Sequence, residues 1–166
     1  MKKILLMCSL MAFTWCSFAA ESYSIFLVRH AEKLSDSKNP SLTLCGEKRA
    51  QQLASLLSKV NINTVYSTSY QRTMQTARPL AEQKKIAVTH YNPRNLAQFA
   101  LQLKQKKESA FVVGHSNTTP VLVELLAQQK ITPLSEQNYQ YLYQVQLINE
   151  QAVLTIFQQP LDCTTS

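Results

Sequence analysis

Glycine is scarce in this 166-residue chain, which contains only Gly46 and Gly114. A loop that cradles phosphate with backbone amides needs several closely spaced glycines, and neither GxGxxG nor GxxxxGK[ST] occurs. Any bound phosphate would therefore be held mainly by side chains. A helix N-terminus near residues 116–119 could add a few backbone amides.

Long runs of one charge sign are also missing. The chain has 17 Lys and Arg against 10 Asp and Glu, a formal net charge of +7. No arginine-rich stripe with interleaved aromatic residues is present, so we expect no nucleic acid partner. A modest basic excess suits anionic small substrates.

The N-terminus lacks the long apolar run that a membrane span needs. Two lysines precede the apolar segment 4–12, and Ser17 and Ala19 are small residues at the positions that a signal peptidase reads. A membrane anchor is the alternative, but a span needs roughly 20 apolar residues. We predict a cleaved signal peptide over residues 1–19, one domain over 20–166, a secreted periplasmic protein, and no stable membrane insertion.

Cysteines are few as well. Two of the four fall in the predicted signal peptide, and Cys45 and Cys163 remain. Two leftover cysteines in an oxidising compartment often pair, so we predict a Cys45–Cys163 disulfide, with two unpaired thiols as the alternative. A zinc site would need more ligands at suitable spacing.

Apolar runs alternate with amphipathic segments along the chain. The patterns predict strands at 23–28, 64–66, 86–89, 110–113, 140–147 and 152–157. They predict helices at 43–59 with Thr43 as N-cap, at 70–82, from Pro93 with Asn92 as N-cap, and at 120–128. This alternation predicts an α/β fold, a three-layer α/β/α sandwich with a mostly parallel sheet.

Cationic and imidazole side chains follow three of the predicted strands. Arg29 and His30 follow the first strand, Arg72 closes the segment after the second, and His115 follows the fourth. Ligands of open α/β sheets collect at the carboxyl ends of the strands, so these four side chains are expected at one rim. Arginine forks match phosphate oxygens, and an imidazole can attack phosphorus.

At these residues the sequence resembles the histidine phosphatase superfamily, which includes phosphoglycerate mutases and small SixA-like phosphohistidine phosphatases. The resemblance covers about residues 23–126 and keeps the family's order of motifs. The matching segments are Arg29-His30-Ala31-Glu32, Leu42-Thr43-Leu44-Cys45-Gly46 with Ala50, Tyr66 to Thr73 with Gln75-Thr76-Ala77, and Val112 to Thr118.

The resemblance implies a phosphoglycerate mutase-like fold and a metal-independent phosphatase without a cofactor. It implies that His30 takes the phosphoryl group covalently. The groups that would bind the phosphoryl oxygens are Arg29, Arg72 and His115, with further hydrogen bonds from Ser116 and Asn117. The substrate would be a phosphomonoester or a phosphohistidine-type compound, on a small molecule or a macromolecule.

The general acid is where the sequence departs from the family. Many members carry a carboxylate after the third strand or directly after the second histidine, and this chain has neither. Glu32 and His90 are the candidates, although a salt bridge would equally account for Glu32 and a packing or surface role for His90. A missing acid matters least for phosphohistidine, acyl or aryl phosphates, whose leaving groups need little protonation.

Two other functions remain open from the sequence. A non-catalytic sensor could keep the phosphate-binding residues without turnover. A metal hydrolase could use His30, His90 and His115, although it would lack carboxylate ligands and the arginines would repel the cation. The oligomeric state is not predicted.

Overall fold

A computed structural model describes residues 21–161 of the chain. The predicted signal peptide over residues 1–19 and Cys163 lie outside the described residues, so the signal peptide and the Cys45–Cys163 pairing stay predictions. The strands are β1 (Ser22–Arg29), β2 (Thr64–Ser67), β3 (Val88–His90), β4 (Ala110–Gly114), β5 (Tyr141–Ile148) and β6 (Gln151–Gln158). The helices are α1 (Leu44–Leu56), α2 (Gln71–Lys84), α3 (Leu96–Lys106) and α4 (Thr119–Ala127).

The six strands form one sheet in the order β3-β2-β4-β1-β5-β6. The first four of these are parallel, whereas β5 runs antiparallel to β1 and β6 antiparallel to β5. Parallel strands need crossover connections, and the helices supply them. β5 and β6 are joined instead by a tight turn, in which Asn149 and Glu150 both have positive φ.

Helices cover both faces of the sheet, because the central strands are apolar on both sides. Ile25 and Leu27 of β1 belong to a buried cluster with α3 and α4, and Phe26 and Val28 belong to a second cluster with α1 and α2. Successive side chains of a strand point to opposite faces, so β1 contributes to both clusters. The predicted three-layer α/β/α sandwich is confirmed.

Of two helix starts predicted from capping residues, the structure confirms the first and not the second. Thr43 caps α1 as predicted, since its hydroxyl accepts a hydrogen bond from the Gly46 amide at 3.0 Å. The predicted start of the third helix is wrong. Residues 92–95 form a turn closed by the Asn95 amide on the Asn92 carbonyl, and α3 begins at Leu96 after Asn95.

No helix within residues 21–161 combines the length and the apolar character that crossing a bilayer requires.

Gly46 allows α1 to approach the segment after β1. A Cβ atom at this position would overlap the backbone carbonyl oxygen of Glu32. The same carbonyl accepts a hydrogen bond from the Thr43 amide at 2.9 Å. The start of α1 is therefore fixed against the loop that carries the first predicted motif.

We expect Gly46→Ala to destabilise the protein by about 1–3 kcal/mol, because the clash is with backbone rather than a flexible side chain. Helix propensity alone would favour alanine by about 1 kcal/mol, so the sign of the measured change in stability shows whether the clash or the propensity dominates. Urea unfolding measures the difference, with the exposed Lys48→Ala as control. A Gly46→Ala protein as stable as the wild type would contradict the close approach.

Candidate active site

The strand register places two histidines side by side at the rim of the sheet. Arg29 of β1 pairs with Gly114 of β4, so the residues that follow, His30 and His115, leave neighbouring strands together. The His30 amide donates to the Gly114 carbonyl at 2.9 Å, and the two imidazole centroids are 5.6 Å apart. A Cβ atom on Gly114 would lie 2.7 Å from the Thr119 hydroxyl, so this close approach requires glycine.

His30 is a buried imidazole with one nitrogen already committed. Its Nδ1 lies 2.8 Å from the carbonyl oxygen of Ala31, and its residue is 3% exposed. A carbonyl can only accept, so Nδ1 carries the proton and Nε2 keeps its lone pair in the neutral ring. Burial lowers the pKa of His30 to about 3, and the positive charges of Arg29 and Arg72 add to the effect. The imidazole is therefore uncharged at neutral pH, with a lone pair available on Nε2.

The peptide around His30 is held by a threonine of α2. The amide of Ala31 donates to the Thr76 hydroxyl at 3.0 Å, and that hydroxyl donates to the Arg72 carbonyl at 2.7 Å. Thr76 thus ties the loop that carries His30 to the first turns of α2, the same helix that carries the Arg72 side chain.

His115 has its own hydrogen-bond chain. Its Nε2 lies 3.0 Å from the Thr68 hydroxyl, which lies 2.8 Å from the Thr73 hydroxyl. The Thr73 hydroxyl donates its proton to the Tyr70 carbonyl at 2.9 Å, so it accepts from the Thr68 hydroxyl. Thr68 then has to accept from His115, and Nε2 of His115 is therefore the protonated nitrogen. Burial and the positive charge of Arg72 lower the pKa of His115 to about 4.

Arg72 has capacity for a further acceptor. Its Nη2 is 3.5 Å from Nδ1 of His115, and its guanidinium lies 4.5 Å from the centroid of the Tyr70 ring. Its Nε is buried and has no hydrogen-bond partner among residues 21–161, and burial lowers the pKa of the guanidinium. An oxyanion bound here would satisfy the guanidinium, which is a physical reason for placing a phosphoryl oxygen beside it.

Arg29 is buried to 2% exposure, and a loop between α4 and β5 holds it. Its Nη1 donates to the carbonyl of Ser135 at 2.9 Å, and its Nη2 pairs with the Glu136 carboxylate at 2.7 Å. The Tyr139 ring covers the guanidinium at 4.2 Å. As in Arg72, the Nε of Arg29 is buried and finds no partner in the described part of the chain.

These side chains line one cavity of about 360 Å³. Its lining consists of Arg29, His30, Lys33, Tyr70, Arg72, Pro93, Arg94, His115, Ser116, Asn117, Thr118 and Glu136. All six residues predicted to bind or attack the phosphoryl group are among them. The sequence analysis missed four charged or aromatic lining residues, Lys33, Tyr70, Arg94 and Glu136. Tyr70 lies within the matching segment Tyr66 to Thr73 and Lys33 directly follows Glu32, whereas nothing in the local sequence marks Glu136.

The structure does not bring the two candidate general acids to this cavity. Glu32 accepts hydrogen bonds from Arg49, at 2.9 Å from Nε to both carboxylate oxygens and at 2.6 Å from Nη2, and so forms the flanking salt bridge. His90 is exposed at the end of β3 and lines a different depression with Tyr91 and Phe99. Placing either side chain beside the phosphoryl group is therefore wrong for this structure.

The three histidines do not form a metal site either. His90 is outside the cavity that His30 and His115 share, and residues 21–161 contain no cluster of three His, Cys, Asp or Glu that could hold a metal ion. The metal-hydrolase alternative therefore loses the three-histidine ligand set that it would need.

The model of the histidine phosphatase superfamily (branch 1) matches residues 25–94, which include His30 and Arg72. The matched segment carries the pattern of the histidine phosphatase superfamily. The resemblance drawn from its motifs is confirmed. The family match supports a phosphatase-class hydrolase. No curated protein matches the sequence at a significant level.

Solved structures of phosphatases share the fold of this chain at low sequence identity. The protein histidine phosphatase SixA complexed with tungstate is 17% identical with a TM-score of 0.66, and the match covers 81% of this chain and 96% of that one. The alpha-ribazole phosphatase from Shigella flexneri is 14% identical with a TM-score of 0.67, over 84% of this chain and 99% of that one. A mycobacterial glucosyl-3-phosphoglycerate phosphatase is 11% identical with a TM-score of 0.65, over 85% and 100%.

The depressed pKa of His30 makes stability depend on pH. The unfolded chain takes up a proton on this residue below pH 6.5, whereas the folded protein does so only near pH 3. Stability therefore falls as the pH drops through this window, by about 1.4 kcal/mol per pH unit for one proton. We expect His30→Asn to reduce this pH dependence by up to about 1.4 kcal/mol per pH unit, the contribution of one proton. The free energy of unfolding in urea, determined at several pH values between 6.5 and 4, measures it.

The exposed histidine variant His90→Asn is the matched control for that titration. An unfolding free energy that falls equally steeply in His30→Asn and in the wild type would contradict a buried neutral imidazole at residue 30.

Proposed function

We propose that this protein is a metal-independent phosphatase that hydrolyses a phosphomonoester or a phosphohistidine-type substrate through a covalent phosphohistidine on His30. One observation carries the proposal. The Nδ1–H of His30 is bonded to the Ala31 carbonyl, which leaves the Nε2 lone pair for attack beside Arg72 and His115. Arg29 and Ser116 line the same cavity.

In the first step the lone pair of His30 Nε2 forms a bond to phosphorus, and the bond from phosphorus to the leaving group breaks with its electron pair. The leaving group takes a proton from water. The imidazole then carries positive charge, and its Nδ1–H bond to the Ala31 carbonyl becomes charge-assisted. In the second step water attacks phosphorus, the N–P bond breaks, inorganic phosphate leaves and the proton of the attacking water is released.

Positive side chains take the role that magnesium has in other phosphoryl-transfer enzymes. Arg72 offers a buried Nε that has no partner among residues 21–161, and the neutral His115 positions this arginine, with its Nδ1 3.5 Å from Nη2. Lys33 and Arg94 add charge at the edge of the cavity. Donors fixed in place before the reaction stabilise the charge of a transferring phosphoryl group most effectively.

The substrate class follows from what the leaving group requires. Neither Glu32 nor His90 reaches the cavity, so neither can protonate a departing alkoxide. Substrates with good leaving groups, such as phosphohistidine and aryl phosphates, fit this arrangement best. The named neighbours act on different compounds, a protein phosphohistidine, alpha-ribazole phosphate or a glucosyl-3-phosphoglycerate, so the fold does not choose among small-molecule and macromolecular substrates.

The alternative function, a phosphate-binding sensor without turnover, has no structural observation specifically in its favour. It shares the cavity and the cationic groups but predicts no phosphoenzyme. The same experiment separates it from the phosphatase.

Incubation with a ³²P-labelled phosphomonoester should label the wild-type protein with a bond that is stable in base and labile in acid. His30→Ala should abolish the label and reduce turnover of para-nitrophenyl phosphate by at least about 10³-fold, because a covalent route is lost. His90→Ala, which removes a histidine outside the cavity, is the control and should keep the label. Labelling of His30→Ala, or turnover without any labelled protein, would refute the covalent role.

We also propose that the protein is secreted to the periplasm after cleavage of residues 1–19. The basic start, the short apolar segment and the small residues at Ser17 and Ala19 support this. Mass spectrometry of the protein expressed in a bacterium should find a mature N-terminus at Ala20. An intact N-terminus starting at Met1 would contradict secretion through a cleaved signal.

A further inference from the structure

Glu136 is the only carboxylate among the described residues that line the catalytic cavity. Around it lie four cationic side chains, Arg29, Lys33, Arg72 and Arg94. An isolated acidic group in such a place needs an explanation, because it opposes the binding of an anionic substrate. The family motifs do not extend to this part of the chain.

The contacts of Glu136 are those expected of a phosphate oxygen. One carboxylate oxygen is 2.7 Å from Nη2 of Arg29, and the other is 2.7 Å from the hydroxyl of Ser116. Both partners are groups assigned above to phosphoryl binding. The carboxylate therefore occupies donor positions that the substrate would use.

The side chain can leave these positions without disturbing the fold. Glu136 lies between α4 and β5, in a segment without helix or strand, and its side chain is 76% exposed. Arg29 would stay in place on its departure, because its Nη1 is held separately by the carbonyls of Ser135 and Asn138. The Tyr139 ring also continues to cover the guanidinium.

A role as general acid fits these observations less well. The hydrogen bond from Ser116 and the charge of Arg29 lower the pKa of the Glu136 carboxyl, so it is ionised at neutral pH and has no proton to give. Its two short contacts are to donors, which is how a carboxylate binds as an anion.

We propose that Glu136 is an intramolecular competitor of the substrate's phosphate, bound to Arg29 and Ser116 in the ligand-free protein and displaced when phosphate enters. The proposal rests on the phosphate-binding role of the cavity given under the proposed function. A competitor of this kind keeps Arg29 paired and correctly placed without substrate, and it weakens the binding of every anion that needs these two donors. Product phosphate is released more readily for the same reason.

The test is the dissociation constant of inorganic phosphate, measured by isothermal titration calorimetry at low ionic strength. We expect Glu136→Gln, which is nearly isosteric, to bind phosphate about fivefold more tightly, the scale expected when a partly exposed ion pair no longer competes. Glu108→Gln removes an equal charge from an exposed residue outside the cavity and should bind phosphate as the wild type does. The gain should shrink in high salt.

Equal phosphate affinity of Glu136→Gln and the wild type would overturn the proposal, and so would failure of both to bind phosphate. This measurement needs no turnover, so its result is independent of whether His30 forms a phosphoenzyme. A second readout compares kcat/KM for para-nitrophenyl phosphate and an alkyl phosphate. A competitor raises both by the same factor in Glu136→Gln, through KM. A loss of kcat confined to the alkyl phosphate would identify Glu136 as a general acid and reject competition.

Discussion

The hydrogen bond from Nδ1 of His30 to the carbonyl of Ala31, 2.8 Å long, is the constraint on which the site depends. It decides which ring nitrogen is protonated, and so which nitrogen can attack. Burial acts in the same direction by keeping the imidazole uncharged. Without this bond a neutral ring could place its lone pair on either nitrogen. The position of the lone pair relative to the surrounding arginines would then be undefined.

The rest of the fold holds that imidazole in place. The parallel pairing of β1 with β4 brings His30 and His115 to adjacent strand ends. Because residue 114 is glycine, the Thr119 hydroxyl can lie close against the end of β4. Helix α2 contributes twice, through the Thr76 hydroxyl under the Ala31 amide and through the Arg72 side chain. A single helix therefore fixes the position of the His30 loop relative to Arg72.

Much of this could be predicted from the sequence, because strand ends and their following residues are local features. The apolar runs located all six strands, and the rule that ligands gather at carboxyl ends brought Arg29, His30, Arg72 and His115 together. Glu136 could not be found this way. It reaches the cavity from an irregular segment 107 residues away from Arg29, and only tertiary structure reveals such a contact.

The wrong predictions have similar physical causes. Glu32 is part of the first motif, but Arg49 on α1 donates to both of its carboxylate oxygens and holds it outside the cavity. His90 ends the strand at the edge of the sheet, one strand beyond the strands that carry the site. The Asn92-Pro93 pair resembles a helix start, yet the chain makes a turn there and α3 begins three residues after Pro93, at Leu96. Local sequence signals cannot show which tertiary partner a side chain binds or whether a helix-start pattern ends in a turn.

The most direct measurement is the position of the phosphoryl group in the trapped phosphoenzyme, read by ³¹P NMR of the base-denatured protein. We expect a single phosphohistidine with phosphorus on Nε2 of residue 30, because Nδ1 is bonded to the Ala31 carbonyl. Phosphorus on Nδ1, or on a side chain other than that imidazole, would contradict it.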